Sequence, residues 1–101
     1  MDIFYALAQP SRRKILEALA KGDGLSATRL YDKFDMSPQA VSQHLKVLRV
    51  SGLVKVEKKA QTRIYTLNPT KIHEFEKWIK KMNQVWEDRF DRLDMILKVE
   101  K

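Results

Sequence analysis

Cysteine is absent from this sequence, which excludes disulfides, thiolate metal sites and cysteine nucleophiles and makes the cytoplasm the expected location. Histidine is almost as scarce, with two residues, His44 and His73. No Ser-His-Asp order, glycine-rich phosphate loop or carboxylate cluster falls on one predicted face, so neither an enzyme nor a cofactor is expected. No apolar run is long enough to span a membrane, and Met1-Asp2-Ile3 does not open a signal peptide. Repeats and low-complexity stretches are missing too. Glycine and proline number only three each, so each one punctuates strongly.

What is present is an apolar content of 44% spread through 101 residues, enough for the core of a single domain over 1–101. The net charge of +7 is unevenly placed. Residues 1–36 carry six Lys/Arg against five Asp/Glu, residues 37–69 six against one, and residues 70–101 eight against seven. The middle third therefore holds most of the excess, as a local polyanion-binding surface would.

The apolar spacing predicts a short helix over 2–8, built on Ile3, Phe4 and Leu7 and ending before Pro10. Ser11 then caps SRRKILEALAKG, which carries Ile15, Leu16 and Leu19 on one face and stops at Gly22. A third helix follows Ser26, with Leu30, Tyr31 and Phe34 as its apolar positions. The fourth is the best marked: Ser37 is a favoured N-cap, Pro38 a favoured first residue and Gly52 a stop, giving a helix over 38–50. After Gly52 the period changes to two. Val54 and Val56 alternate with Lys55 and Glu57, and TRIYTL alternates again beyond a basic loop at Lys58-Lys59-Ala60-Gln61, so a β-hairpin is expected. Asn68-Pro69 ends it and starts a helix over 70–99. The fold class is mainly α with one hairpin (α+β), in the order ααααββα.

At 100° per residue, Val41, Leu45 and Leu48 fall within about 60° of arc and point inward, with His44 at the edge of that face. Gln39, Ser42, Gln43 and Lys46 face the other way. Glutamine can pair with adenine through two hydrogen bonds, serine with several base edges, and lysine with guanine or phosphate. The hairpin adds Lys55, Lys58, Lys59, Arg63 and Tyr65, a composition suited to the phosphate backbone. A polar helix face alone signals solvent more often than a ligand, and an edge hairpin can carry lysines merely to deter aggregation. Their adjacency and the charge excess favour double-stranded DNA. The competing reading is a module for protein–protein or RNA contact, which has no reason to place the excess there.

The last helix carries Ile72, Phe75, Ile79, Met82, Trp86, Phe90, Leu93 and Leu97 on one stripe, at spacings of three and four. A helix of about 30 residues is about 45 Å long, more than a domain of this size can cover. Its far end needs another chain, and Ile3, Phe4 and Leu7 are more apolar than a lone N-terminal segment can bury.

The stretches LAQPSRRKILEAL, LSATRLYDKFDMSPQAVSQHLKVLRVSGLV and RIYTLNP together resemble the ArsR/SmtB family of winged helix-turn-helix transcriptional repressors. The tail with Trp78, Trp86 and DRFDRLDMIL is similar to a metal-independent branch. The resemblance implies a homodimer built on the helices over 2–8 and 70–99, which binds an inverted repeat and represses transcription. It puts DNA contacts at Ser37, Gln39, Ala40, Ser42, Gln43 and Lys46 and on the wing at Lys58, Lys59 and Arg63. Dimer contacts fall on Ile3, Phe4, Leu7, Met82, Trp86, Phe90, Leu93 and Leu97. The wing tip lacks the glycine common in the family. The family's thiolate metal site needs a cysteine pair where this chain reads LSATRLYDKF, and its other metal site needs paired histidines and carboxylates on the last helix, where His73 stands alone. No metal site is expected. The residues name no small-molecule effector.

Overall fold

A computed structural model describes residues 2–99, with side chains through Leu93. Eight elements follow one another: α1 (Ile3–Leu7), α2 (Pro10–Ala20), β1 (Leu25–Ser26), α3 (Ala27–Lys33), α4 (Pro38–Val50), β2 (Val54–Lys59), β3 (Thr62–Leu67) and α5 (Pro69–Val99). The chain divides between Lys71 and Ile72 into two compact units.

In the first unit, local chemistry sets most boundaries. Asp2 caps α1 by accepting from the Tyr5 amide at 2.8 Å. The expected cap at Ser11 is not formed: Pro10 takes the first helical position of α2, Gln9 becomes the N-cap, and Ser11 lies inside the helix. Proline wins because its fixed φ is already helical and its missing N–H costs nothing in the first turn. Ser26 and Ser37 cap α3 and α4, accepting from the Arg29 and Ala40 amides at 3.2 and 3.1 Å. Helix α4 closes in a Schellman motif, with Gly52 N–H bonded to Arg49 O and Leu53 N–H to Leu48 O, both at 3.0 Å. That closure needs the left-handed φ of +86° at Gly52.

The three strands form an antiparallel sheet in the order β1-β3-β2. Strand β1 was not expected, since two residues are too few to show a period. The basic loop expected over 58–61 is also shorter. Lys59 pairs with Thr62, leaving a two-residue turn, Ala60-Gln61, with Ala60 at φ 56°. Glycine is the residue favoured at that φ, and here alanine accepts it.

Helices α2 and α3 pack on α4, and all three on the sheet, around Ile15, Leu16, Leu19, Leu30, Val41, Leu45, Leu48, Leu53 and Val54, all buried. At roughly 1.5–3 kcal/mol for each large aliphatic side chain, this cluster dominates the stability of residues up to Lys71.

The second unit is the greater part of α5. A helix of 31 residues is about 46 Å long. Met82, Val85, Trp86, Phe90 and Leu93 are all exposed along it, and Trp86 meets Phe90 edge to face, with centroids 4.9 Å apart. Leu97, assigned to the same stripe, lies outside the residues whose side chains are described.

Candidate nucleic-acid interface

Helix α4 separates its two faces almost completely. Val41 and Leu48 are 0% exposed and Leu45 is 2% exposed, whereas Gln39, Ser42, Gln43 and Lys46 are exposed. The cap at Ser37 and the Schellman closure fix both ends, so this polar face is presented by a rigid element. Ala40 is half-buried. The Ser37 oxygen accepts the Ala40 amide, which leaves its O–H to donate outward.

The hairpin register sorts the basic residues of the wing. Side chains alternate along a strand, so Val54, Val56 and Lys58 share a face with their partners Leu67, Tyr65 and Arg63. Lys59 lies on the opposite face with Glu57 and Lys55, across from Thr62. The expected trio is therefore split: Lys58 and Arg63 stand directly opposite each other at the exposed end, and Lys59 points away. Like charges in that relation repel. Neither makes an ion pair among the described residues, so the pair is left open to an anion. Arg63, Thr62 and Gln61 also line a cleft of ≈ 340 Å³ whose other wall is Ser26, Ala27, Thr28 and Tyr31. The wing thus opens beside α3.

Two polar side chains that the sequence pattern does not single out hold this surface together. Arg12 is only 6% exposed. Its guanidinium donates to the Ala6 and Tyr5 carbonyls at 2.7 and 3.0 Å, lies 5.3 Å over the Tyr5 ring, and reaches His44 Nδ1 at 3.4 Å. A guanidinium can only donate, so Nδ1 must accept and the imidazole proton sits on Nε2. Burial, then the Arg12 charge, hold His44 below its ordinary pKa. Arg12 falls at the stripe spacing of Ile15, Leu16 and Leu19, the signal that could have marked it. Tyr31, read as an apolar position of α3, is half-buried, and its hydroxyl lies 2.9 Å from Ser42 Oγ on α4. Among the described residues no three His, Cys, Asp or Glu side chains gather as a metal centre would require, and no helix is long and apolar enough to cross a membrane.

This arrangement of helices and hairpin has close counterparts. A family model described as a helix-turn-helix domain matches residues 7–57. The transcriptional repressor SdpR of Bacillus subtilis is 32% identical over 78 residues, covering 77% of this chain and 86% of that protein. A solved ArsR-like transcriptional regulator from Rhodococcus sp. RHA1 superposes with a TM-score of 0.86 at 25% identity, covering 95% of this chain and 87% of that one. The chain belongs to the ArsR family of winged helix-turn-helix transcriptional regulators. It is also 42% identical over 67 residues to the transcriptional activator HlyU of Vibrio cholerae, covering 66% of this chain and 61% of that protein. An ArsR-family frame gives α3–α4 as the helix-turn-helix and β2–β3 as the wing, the elements between which Lys58, Arg63 and the polar face of α4 are distributed.

Proposed function

We propose that the chain is a sequence-specific regulator of double-stranded DNA that acts as a homodimer on an inverted repeat and represses transcription from it. The observation that carries this reading is the sealed α4, with its apolar face wholly buried and Gln39, Ser42, Gln43 and Lys46 exposed beside a cationic wing. In a helix-turn-helix the second helix enters the major groove with its N-terminal residues toward the bases. Gln39, Ser42, Gln43 and Lys46 then read base edges, while Ser37 and the backbone near Ala40 approach the phosphates. Lys58, Lys59 and Arg63 follow the adjacent backbone, Lys59 from the far face of the hairpin.

The dimer surface is assigned to α1, through Ile3, Phe4 and Leu7, and to α5, through Met82, Trp86, Phe90, Leu93 and Leu97, all within one domain spanning 1–101. Exposures of 57%, 51% and 50% at Trp86, Phe90 and Leu93 support a second chain over that stripe. The protein works in the cytoplasm without catalysis, cofactor or metal, and adding zinc or a chelator leaves DNA affinity unchanged within about twofold.

Selection of bound sequences from random duplexes, followed by salt titration on the winner, tests this reading. Two mirror-related half-sites about one helical turn apart, or a multiple of it, are expected, with affinity falling steeply as salt rises. No enrichment, or enrichment of a single asymmetric site, overturns it. A reporter behind the selected site should be silenced by the protein. Activation would place the chain with HlyU, named an activator, and not with SdpR, named a repressor.

A further inference from the structure

The Tyr31–Ser42 contact lies between α3 and the polar face of α4, at one wall of the cleft that the wing completes. We propose that Tyr31 is a positioning residue that biases Ser42 toward donating, so that Ser42 prefers an acceptor on the base edge it faces. This rests on the reading of α4 as the recognition helix.

A serine hydroxyl has one proton and two lone pairs, and on an open helix face it rotates to suit any partner. It therefore reads bases poorly, accepting from one edge and donating to another. The 2.9 Å contact restricts that freedom. Its geometry allows either oxygen to donate. Acidity decides: a phenol O–H is a stronger donor than an aliphatic alcohol, because the charge left on its oxygen delocalises into the ring. Tyr31 Oη thus gives its proton to one Ser42 lone pair, and the bond polarises Ser42, strengthening its O–H as an outward donor and weakening its remaining lone pair as an acceptor. In free protein, water competes for both hydroxyls. When DNA covers this face the water leaves, and the direction of the bond becomes a constraint.

An outward donor finds acceptors at guanine N7 and O6, adenine N7 and thymine O4, and none on the major-groove edge of cytosine, which offers an amino group. Because the remaining lone pair of Ser42 is the weaker partner, one position in each half-site should therefore disfavour cytosine on the contacted strand. Tyr31 is placed to do this because α3 and α4 pack on each other and Leu30, next to it in sequence, is buried.

The test is base selection from random duplexes by the full-length protein and by Tyr31→Phe, Ser42→Ala and the double variant, with thermal melting of each. The Tyr31→Phe protein should melt as the parent does, because it loses an exposed hydrogen bond and keeps its ring. It should bind the preferred site about threefold to tenfold more weakly and lose the bias against cytosine at one position per half-site. The Ser42→Ala variant should relax that same position, and the double variant should be no worse than Ser42→Ala alone. Unchanged base preference in Tyr31→Phe overturns the proposal, as does an equal loss on every sequence or a double variant in which the two losses add. Parent protein that enriches no sequence overturns the recognition-helix reading itself, and the proposal with it.

Discussion

Helices α4 and α5 carry apolar stripes of the same period, yet one is sealed and the other open. Val41, Leu45 and Leu48 are exposed by 2% or less, whereas Trp86, Phe90 and Leu93 each leave half or more of their surface uncovered. Periodicity dictates that a face will be covered and says nothing about what covers it. Helix α4 meets α2, α3 and β2 within its own unit. The stripe of α5 has the composition of an interior, with an edge-to-face Trp86–Phe90 pair at 4.9 Å, and the exposure of a surface. On this comparison α4 is finished by folding, and the proposed homodimer would finish α5.

Core truncation on the sealed helix should have the largest effect. Leu48→Ala removes a fully buried side chain and should cost about 3 kcal/mol or more of unfolding free energy, read from the denaturant midpoint. Trp86→Ala and Phe90→Ala should act next most strongly, and on a different quantity. Each occurs twice in a symmetric dimer, so the dissociation constant should rise about a hundredfold by sedimentation equilibrium. Stability measured at concentrations where the parent is already monomeric should hardly move. A large loss there would show that α5 is covered within its own chain, and the comparison would collapse.

A finer division lies within the interface. Gln39→Ala or Gln43→Ala should cost about 1–3 kcal/mol on the preferred site and relax one base position per half-site. Lys58→Ala and Arg63→Ala should weaken binding to every sequence alike and reduce the salt slope by about 0.9 for each phosphate that is no longer neutralised. Because Lys58 faces Arg63 across the hairpin, removing either also relieves a repulsion, so free protein should gain a few tenths of a kcal/mol. Equal losses on specific and random DNA for the glutamine variants would show that another element reads the bases.

The sequence made α4 legible because four signals agreed on it: Ser37, Pro38 and Gly52 at the ends, and the stripe between them. Agreement failed at α2, where Pro10 and Ser11 offered competing starts and the proline prevailed. The β1 strand could not be read, since its two residues exist as a strand only through their pairing with Tyr65 and Ile64. Lys58, Lys59 and Arg63 were readable as a basic cluster, but their division between two faces depends on a register set by the Ala60-Gln61 turn, whose left-handed residue is not the usual glycine. Arg12 and Tyr31 escaped for a shared reason. Each sits at a position the period assigns to the interior, and only the fold shows that the polar end of each side chain reaches a residue of α4.

The smallest expected effect lies at the margin of the seal. His44 stands between the buried and exposed faces of α4, with Nδ1 turned to the Arg12 guanidinium at 3.4 Å. Protonation would set two cations against each other and remove the acceptor. Burial, then the Arg12 charge, therefore hold its pKa below the ordinary value of 6.5. The unfolded chain then binds this proton more readily than the folded one, so stability rises with pH across the interval between the two values. The contribution of the neutral ring is fully present above about pH 6.5 and is lost as the pH falls through the lowered folded value. Denaturant midpoints followed between pH 7.5 and pH 5 should show this decline in the parent and a weaker one in His44→Gln, whose amide does not titrate. Since Arg12 also holds the Tyr5 and Ala6 carbonyls, the loosening should spread to α1 and leave the helix content of α5 unchanged. A parent whose stability is flat across that interval would show that the ring is solvated in the fold as it is in the unfolded chain.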